Sequence, residues 1–287
     1  MTQELAVIGV PSWLGKATFS GGSWDADYPV TQLGKLPLGK PAVTADGTTD
    51  STKFIVTLSE FLPVQYLCWV GHTGGQYDLF TMRFFSDVAR SNLVLTLSDQ
   101  EFWLPCFPKG SVDYGDPHWW TEKYTAEEIA AFVAPPRPIW LDAPIGVRAI
   151  EVDVDVTPSG ADSFACGYFD LGQGTQVAAN YDYGAQLGFE ARVITTISPG
   201  GTAHHTDDPE PRTWRGTFGH VEHTTAMGRF FELMRRPRRA PFLWLPTPSD
   251  PTRWLQEAWL AELAELSPIE RAYADVDAIP LTLREVF

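Results

Sequence analysis

The chain has 287 residues, enough for one large domain or two ordinary ones with a substantial core. Hydrophobic residues make up 44% and charged residues 20%, a composition typical of globular proteins and not of disordered chains. The formal net charge of -15 repels phosphate, which argues against a protein that reads nucleic-acid sequence.

The N-terminal sequence predicts no cleaved signal peptide, because it has no basic segment and only a brief apolar run. No apolar stretch approaches the roughly 18 residues of a membrane-spanning helix, so we expect no membrane insertion. The three cysteines show no motif spacing, which indicates reduced thiols in a protein folded in a cytoplasm; they are Cys68, Cys106 and Cys166.

Residues 1 to about 98 predict a series of β-strands. Apolar, β-branched runs alternate with turn signals at short intervals, the pattern of an antiparallel sandwich or jelly roll. A loop rich in Pro and Gly covers residues 29–47, and the predicted strands cover residues 16–19, 53–58, 64–70, 79–85 and 93–97.

The strand at 64–70 ends in Gly71-His72-Thr73, which raises the question of a catalytic or metal-binding role for His72. No carboxylate or His partner lies at a recognisable spacing. We therefore expect His72 to fix the turn by hydrogen bonding, because polar groups at strand ends usually bond to backbone partners. Leu67, Trp69 or their alternates should fill the core.

Residues 99–140 interrupt the strand pattern with dense aromatic and proline content, and we interpret them as an insertion that projects from the sandwich. One short helix is expected there. Thr125 begins the sequence T-A-E-E, a capping box with Glu128, and Pro135-Pro136 ends the apolar run that follows.

The strict alternation at 147–157 and the apolar run at 163–171 predict two more strands, which close a first domain at residues 1–178. A second domain, residues 179–287, should contain strands at 188–196, 212–218 and 242–245, helices at 224–236 and 251–266, and an alternating closing strand at the C-terminus. The predicted fold class is mainly β with minor α: an antiparallel jelly-roll sandwich plus a smaller α+β domain.

Histidines and carboxylates suggest two weak candidates for a chemical site. The spacing H-V-E-H at His220 and His223 is not the helical H-E-x-x-H pattern of zinc enzymes, so we expect no metal. The other possible ligands lie in a polar loop, where solvation explains them; they are His204, His205, Asp207 and Asp208.

Asp153 and Asp155 share one strand face, roughly 6–7 Å apart by strand geometry, which would suit a glycoside-hydrolase carboxylate pair. The alternation itself predicts a solvated face instead. No nucleophile elbow, phosphate loop or dinucleotide fingerprint occurs, so we expect neither an enzyme nor a cofactor.

The remaining candidates are contact residues. The insertion's tryptophans could form a saccharide platform, an interface anchor or a local hydrophobic plug; they are Trp103, Trp119 and Trp120. One basic cluster follows the helix at 224–236, where cations complement the helix dipole, and could instead dock an acidic surface of a neighbouring copy; its members are Arg235, Arg236, Arg238 and Arg239.

The order of these elements resembles a known family. The series S-G-G-S-W, D-S-T-K-F-I-V-T-L, V-Q-Y-L-C-W-V-G-H-T and F-T-M-R-F-F-S is similar to the galactose-binding-like (discoidin-type) jelly rolls of tailed-phage tail proteins. The runs I-E-V-D-V-D-V-T and F-A-C-G-Y-F-D-L-G resemble that family's closing strands. The second half, with P-R-T-W-R-G-T-F and F-L-W-L-P-T-P-S-D-P, resembles the hub region of phage or gene-transfer-agent tail-tip proteins.

The resemblance implies a non-enzymatic structural protein of the phage tail tip or upper baseplate. It would assemble with itself as a ring, a trimer or hexamer, around the tail channel and contact tail tube and baseplate hub proteins in the virion, after folding in the bacterial host cytoplasm. An acidic lumen would repel the DNA that crosses it. The insertion departs from the family pattern.

Two other hypotheses remain open. The jelly roll and the Trp-rich insertion favour a carbohydrate-binding module that recognises host-surface saccharide, which is compatible with a place in a tail. A hydrolase that uses Asp153 and Asp155 or the His-rich loop is the third hypothesis.

Overall fold

The structure is a computed structural model that describes residues 5–107, 110–197, 203–207, 209–237 and 240–287, with only the backbone at 193–197 and 203–207. The chain divides into two compact units. The first unit comprises residues 1–176, 242–260 and 287, and the second unit comprises residues 177–241 and 261–286. The sequence prediction instead placed one boundary at residue 178, and it assigned residues 242–260 and 287 to the second domain.

Short antiparallel strands dominate the chain, which confirms the predicted fold class, mainly β with an antiparallel sandwich. The strands are β1 (Val7–Ile8), β2 (Ala17–Ser20), β3 (Ala42–Val43), β4 (Phe54–His72), β5 (Leu79–Phe85), β6 (Leu93–Glu101), β7 (Pro136–Asp155), β8 (Ala165–Gly172), β9 (Thr175–Gln176), β10 (Gln186–Phe189), β11 (Val193–Ile197), β12 (Ala203–Asp207), β13 (Arg212–Glu222), β14 (Phe242–Leu245), β15 (Trp259–Glu265), β16 (Glu270–Arg271) and β17 (Val276–Glu285).

Helices are short. The α-helices are α1 (Thr49–Thr52), α2 (Ala126–Ala130), α3 (His223–Thr225), α4 (Phe231–Arg235) and α5 (Trp254–Glu257). A π-helical segment at Ala226–Phe230 joins α3 to α4, and 3₁₀ turns occur at Leu14–Lys16, Val30–Gly34 and Pro251–Arg253.

The first unit is built on a seven-stranded antiparallel sheet in the order β3-β8-β4-β7-β5-β6, with β2 paired to β4. Its longest strands are β4, with 19 residues, and β7, with 20. They pair with register shifts between Thr57 and Leu62 and between Val64 and Tyr66. Such bulges bend and twist a strand pair, which lets it curve around a core. A second small set, β9-β1-β14, belongs to the same unit.

Two predicted strands, at 53–58 and 64–70, are therefore parts of the single strand β4, because the bulges bend the chain between them without ending the pairing. The insertion is also shorter than the predicted 99–140. It runs from residue 102 to residue 135, since β6 extends to Glu101 and β7 begins at Pro136. The strand prediction at 79–85 is confirmed as β5.

The core of the first unit is centred on Trp69, which is fully buried. Its ring packs edge-on against Phe169 at 4.8 Å and against Phe54 at 5.6 Å between centroids, geometries that aromatic pairs prefer. Leu67 is also fully buried on the same strand. The expectation that Leu67 and Trp69 fill the core is confirmed.

The second unit is organised around the long pair β13–β17, flanked by β10 on β13 and by β15 and β16 on β17. The closing strand alternates as predicted, with buried residues at every second position of β17. Phe218 of β13 packs against Phe230 of the helical segment at 5.8 Å. β11 and β12 pair with each other as a hairpin.

The predicted helix at 251–266 is wrong beyond Glu257. Leu255, Trp259, Leu263 and Leu266 have helical spacing, but helical structure ends at α5 and residues 259–265 form β15. β15 pairs with β17 from Ala261 onward. Periodicity alone does not separate the two states in a short apolar run, and here the pairing with β17 decides.

Candidate functional site

The insertion displays three aromatic side chains, called here the aromatic face: Tyr114, Trp119 and Trp120. The exposed fractions are 81% for Tyr114, 36% for Trp119 and 82% for Trp120. The rings of Tyr114 and Trp119 meet edge-on at 5.6 Å. Single exposed apolar residues are common, but a group of large rings in one segment is a feature of binding surfaces.

Consecutive turns hold the backbone that carries the aromatic face. The Asp116 amide donates to the Asp113 carbonyl at 3.1 Å, and the Trp119 amide donates to the Asp116 carbonyl at 3.0 Å. The Glu122 amide then donates to the His118 carbonyl at 2.7 Å. These backbone bonds shape the segment without a helix or strand, and they leave the rings outside it.

The helix α2 beside this segment is formed as predicted. Thr125 is its N-cap, and the full capping box with Glu128 is present. One oxygen of Glu128, Oε2, accepts from the Thr125 amide at 2.7 Å and from the Thr125 hydroxyl at 2.9 Å. The pairing satisfies amides that a helix start leaves without partners.

His118 connects the turn segment at residues 113–122 to α2. Its Nδ1 lies 2.5 Å from Asp116 Oδ1, and its Nε2 lies 2.8 Å from Glu128 Oε2. The bond to Glu128 and then the bond to Asp116 raise the pKa of His118 above its usual value. Sequence reasoning missed this residue, because its partners are two and ten positions away and only one of them belongs to a recognisable motif.

Trp103 is only 4% exposed, which fits the third alternative for the insertion's tryptophans, a local hydrophobic plug. Its Nε1 donates to the Gly74 carbonyl at 2.7 Å, and its ring packs against Phe132 at 5.6 Å. With Phe102, which is also buried, Trp103 anchors the start of the insertion in the sandwich. Trp119 and Trp120 remain candidates, and Tyr114 joins them although the sequence analysis did not select it.

His72 is buried beneath Phe102 and Trp103. It does not fix the turn at residues 71–73 by hydrogen bonding, as the sequence had predicted. Its Nδ1 has no hydrogen-bond partner, and its ring lies tilted against Phe102 at 4.8 Å between centroids. Burial, with a smaller contribution from the charge of Arg137, lowers the pKa of His72 to about 3. Gly71, with a φ of 66°, provides the turn instead, because that backbone conformation favours glycine. A neutral, buried imidazole of this kind is a core side chain.

Next to His72 lies a cavity of about 20 Å³, which has room for one water molecule. Arg137 lines it and is itself buried. The Nε of Arg137 donates to the Glu101 carbonyl at 2.7 Å, and the guanidinium lies over the rings of Phe80 and Trp254 at 5.5 and 5.6 Å. Burial lowers the pKa of Arg137 to about 10. The cavity is too small for an organic ligand.

Asp153 and Asp155 bond to different partners within the first unit. Arg83 bonds to Asp153 at 2.5 Å and to Glu151 at 2.9 Å, which makes this strand face an ion-pair surface. Asp155 instead accepts from the amide and hydroxyl of Thr157, at 3.0 and 2.6 Å. Both carboxylates are occupied by structural partners, as expected for a solvated strand face.

The histidine candidates lie apart. His223 Nδ1 lies 2.7 Å from Asp277, whereas His220 lies 3.9 Å from Asp182. In the described part of the chain, no group of three or more His, Cys, Asp or Glu side chains could hold a metal ion. The remaining candidates fall outside the described side chains; they are His204, His205, Asp207 and Asp208.

The basic cluster is described only in part. Arg235 is exposed at the end of α4, and Arg236 is partly buried. Arg238 and Arg239 lie outside the described residues. The two described members therefore lie at the C-terminal end of α4, and the role of the cluster stays a prediction.

The second unit exposes apolar side chains on its edge strand β10, a surface called here the edge face: Leu187 and Phe189. Leu187 is 55% exposed and Phe189 67%, and both point to the same face of β10. β10 pairs with β13 on one side, and within the described ranges no strand pairs with its other side. An exposed apolar edge strand is a site where another chain can pair.

Among the described residues, no helix is long and apolar enough to cross a membrane. No family model matches the sequence, and a search of curated proteins finds no match.

The search of solved structures returns matches with low identity and low TM-scores. The family 32 carbohydrate-binding module of Clostridium perfringens NanJ, in complex with galactose, is 12% identical with a TM-score of 0.37, covering 59% of this chain and 98% of that one. The CBM32-1 module of a C. perfringens family 31 glycoside hydrolase is 12% identical with a TM-score of 0.35, over 58% and 96%. CpGH89CBM32-5 from C. perfringens, in complex with GalNAc-β-1,3-galactose, is 7% identical with a TM-score of 0.35, over 56% and 99%. Likeness at this level bears on neither ligand nor activity.

Proposed function

We propose that the protein is a non-catalytic binding protein whose aromatic face binds a saccharide. The observation that carries the proposal is the exposure of Tyr114 and Trp120, 81% and 82%, on a segment held by backbone hydrogen bonds. A ligand that covers large exposed rings removes their apolar surface from water, which favours binding. Sugar rings present apolar C–H faces that stack on such side chains, and aromatic rings combine this apolar surface with polar atoms at their edges.

The surroundings of the aromatic face suit a neutral saccharide. Asp113, Asp116 and Glu122 lie in the same segment. The first two are exposed and Glu122 is partly buried, and carboxylates accept hydrogen bonds from sugar hydroxyls. The same charges repel anionic sugars, as does the net charge of -15. Shallow, exposed platforms of this kind bind weakly, because the ligand stays partly hydrated.

The test is a panel of neutral and acidic oligosaccharides measured by titration calorimetry or on a glycan array, with the full chain. We expect binding to a neutral saccharide that Trp120→Ala weakens by about tenfold, the effect of losing roughly 1.4 kcal/mol. Tyr183→Ala is the matched control, since Tyr183 is a fully exposed aromatic residue of the second unit. Failure of the wild-type protein to bind any saccharide, or unchanged binding by Trp120→Ala, overturns the proposal.

We also propose, as a second function, that the protein is a structural component of a phage tail tip or upper baseplate, as the sequence resemblance implies. The observation that favours an assembly role is the edge face of the second unit. Leu187 and Phe189 beside an unpaired strand edge are suited to pairing with another copy, and closed rings repeat such a contact by symmetry. The two functions are compatible, since a tail protein can contact host saccharide.

The second proposal is tested in two steps. Light scattering coupled to size exclusion should show a ring of defined size that Leu187→Ser with Phe189→Ser converts to monomers. Val88→Ser is the control, because Val88 is 49% exposed on a turn of the first unit. Electron microscopy of tails that carry the tagged protein should then place the tag at the tip. A label found elsewhere or absent rejects the tail role.

A further inference from the structure

We propose that His118 is a positioning residue of the aromatic face, which locks residues 113–122 to α2 when its ring is protonated. Saccharide affinity should then rise as the pH falls through the titration of His118. Only the expected change in saccharide affinity rests on the proposed saccharide function. The lock itself is a property of the fold and has its own measurement.

The geometry requires a proton on each ring nitrogen. Nδ1 lies 2.5 Å from Asp116 Oδ1, and Nε2 lies 2.8 Å from Glu128 Oε2. An ionised carboxylate only accepts hydrogen bonds, and a neutral imidazole has one N–H. Both bonds therefore form only with the imidazolium. Deprotonation leaves one ring nitrogen facing a carboxylate oxygen with no hydrogen between them.

The bonds of His118 join the turn segment to α2. Asp116 lies in the turn segment, and its Oδ1 also accepts from the His118 amide at 2.9 Å. Glu128 is the third residue of α2, where its side chain closes the capping box with Thr125. Trp119 and Trp120 directly follow His118 in the chain. The two bonds of the His118 ring therefore hold the backbone that carries these tryptophans.

The neighbours of His118 are few, which keeps its titration simple. The ring packs against Phe107 at 4.6 Å between centroids, and its side chain is 15% exposed. In the described part of the insertion, the charged groups that face it are Asp116 on its own segment and Glu128 on α2. Both are negative, so both favour the protonated ring.

The direction of the pH dependence follows from these pairs. The pKa of His118 is raised above its ordinary value of 6.5, first by the bond to Glu128. The stabilisation is fully present below 6.5 and is lost as the pH rises through the folded-state pKa. The pKa values of Asp116 and Glu128 are lowered from 3.8 and 4.5, so their contributions are lost only in stronger acid. The lock therefore operates in the pH range above the pKa values of Asp116 and Glu128 and below the pKa of His118.

The primary test is hydrogen exchange of residues 110–128 in the full chain at several pH values, corrected for intrinsic exchange rates. Protection should fall about fivefold or more between about pH 5.5 and about pH 8.5 in the wild type, the lower end of ordinary coupling effects. In His118→Gln, protection should be low and independent of pH. His220→Gln is the matched control, because the side chain of His220 is 70% exposed in the second unit.

The second test measures affinity for the best neutral saccharide at the same pH values. We expect wild-type affinity to be higher at acidic pH and His118→Gln to lose this dependence while it retains weak binding through the rings. Exchange protection that is flat with pH in the wild type overturns the lock. A pH-dependent lock in a protein that binds no saccharide contradicts the proposed function and leaves the lock established, so the two failures are distinguishable.

Discussion

His72 makes the stability of the first unit depend on pH, and its replacement by leucine should remove that dependence. The imidazole is 5% exposed, and burial lowers its pKa from 6.5 to about 3. The unfolded chain therefore binds a proton at mildly acidic pH that the folded protein does not bind. For a group with a lowered folded-state pKa of this type, stability is highest above 6.5 and falls as the pH drops toward 3.

The magnitude follows from the separation of the two pKa values. At about pH 5 the solution is about 1.5 units below the unfolded pKa, and each unit corresponds to about 1.4 kcal/mol. The folded group is still neutral there. His72 should therefore lower the free energy of unfolding by about 2 kcal/mol at about pH 5 relative to about pH 8.

Urea denaturation of wild type and His72→Leu at both pH values measures the effect as a double difference, which cancels the titration of all other groups. Leucine suits the site, since Nδ1 has no partner to lose and the ring packs on Phe102. The free-energy difference between the two proteins should shift by about 2 kcal/mol in favour of the variant at the acidic pH. His220→Leu, on an exposed site, should shift much less. A difference for His72→Leu that stays constant with pH refutes the buried, neutral assignment.

Three further predictions test the packing. Gly172→Ala should lower the free energy of unfolding by about 1–3 kcal/mol in urea denaturation, because a Cβ would lie 2.2 Å from the Pro11 carbonyl oxygen. Gly39→Ala is the control and should have little effect, since a Cβ there would have nothing within 4 Å. Equal effects of the two substitutions would contradict the close packing at Gly172. Thr125→Ala should destabilise α2 by about 1 kcal/mol and increase proteolysis within the insertion, and an unchanged cleavage rate argues against the cap. Burial raises the pKa of every cysteine thiol, so an aromatic disulfide reagent should label the native protein slowly and the unfolded protein at once; fast native labelling contradicts the burial of Cys68, Cys106 and Cys166.

Local sequence signals were sufficient for elements whose determinants lie close together in the chain. The strand at Leu79–Phe85 and the capping box of Thr125 and Glu128 could be predicted because alternation and cap chemistry act over a few residues. The prediction of a helix over β15 was wrong because it also used only local spacing. That apolar spacing fits both a helix and a strand, and the pairing with β17 that decides between them is not a local signal.

The candidate site shows the same division. Trp103 and Trp120 look alike in sequence, yet one is buried and the other is 82% exposed, because the exit of β6 draws Trp103 into the core. The role of His118 depends on Asp116 and Glu128 meeting around one ring, which requires the turn segment to fold back on α2. No spacing rule describes that arrangement.

By itself, the sequence determined the mainly β class, the position of the insertion and its capped helix, because hydrophobic period, turn residues and caps are local properties of a chain. Only the tertiary structure decided which tryptophans face solvent, why His72 is neutral, and which carboxylates hold His118. Burial and the distance between charges depend on residues brought together from remote positions, and these two quantities control exposure and pKa.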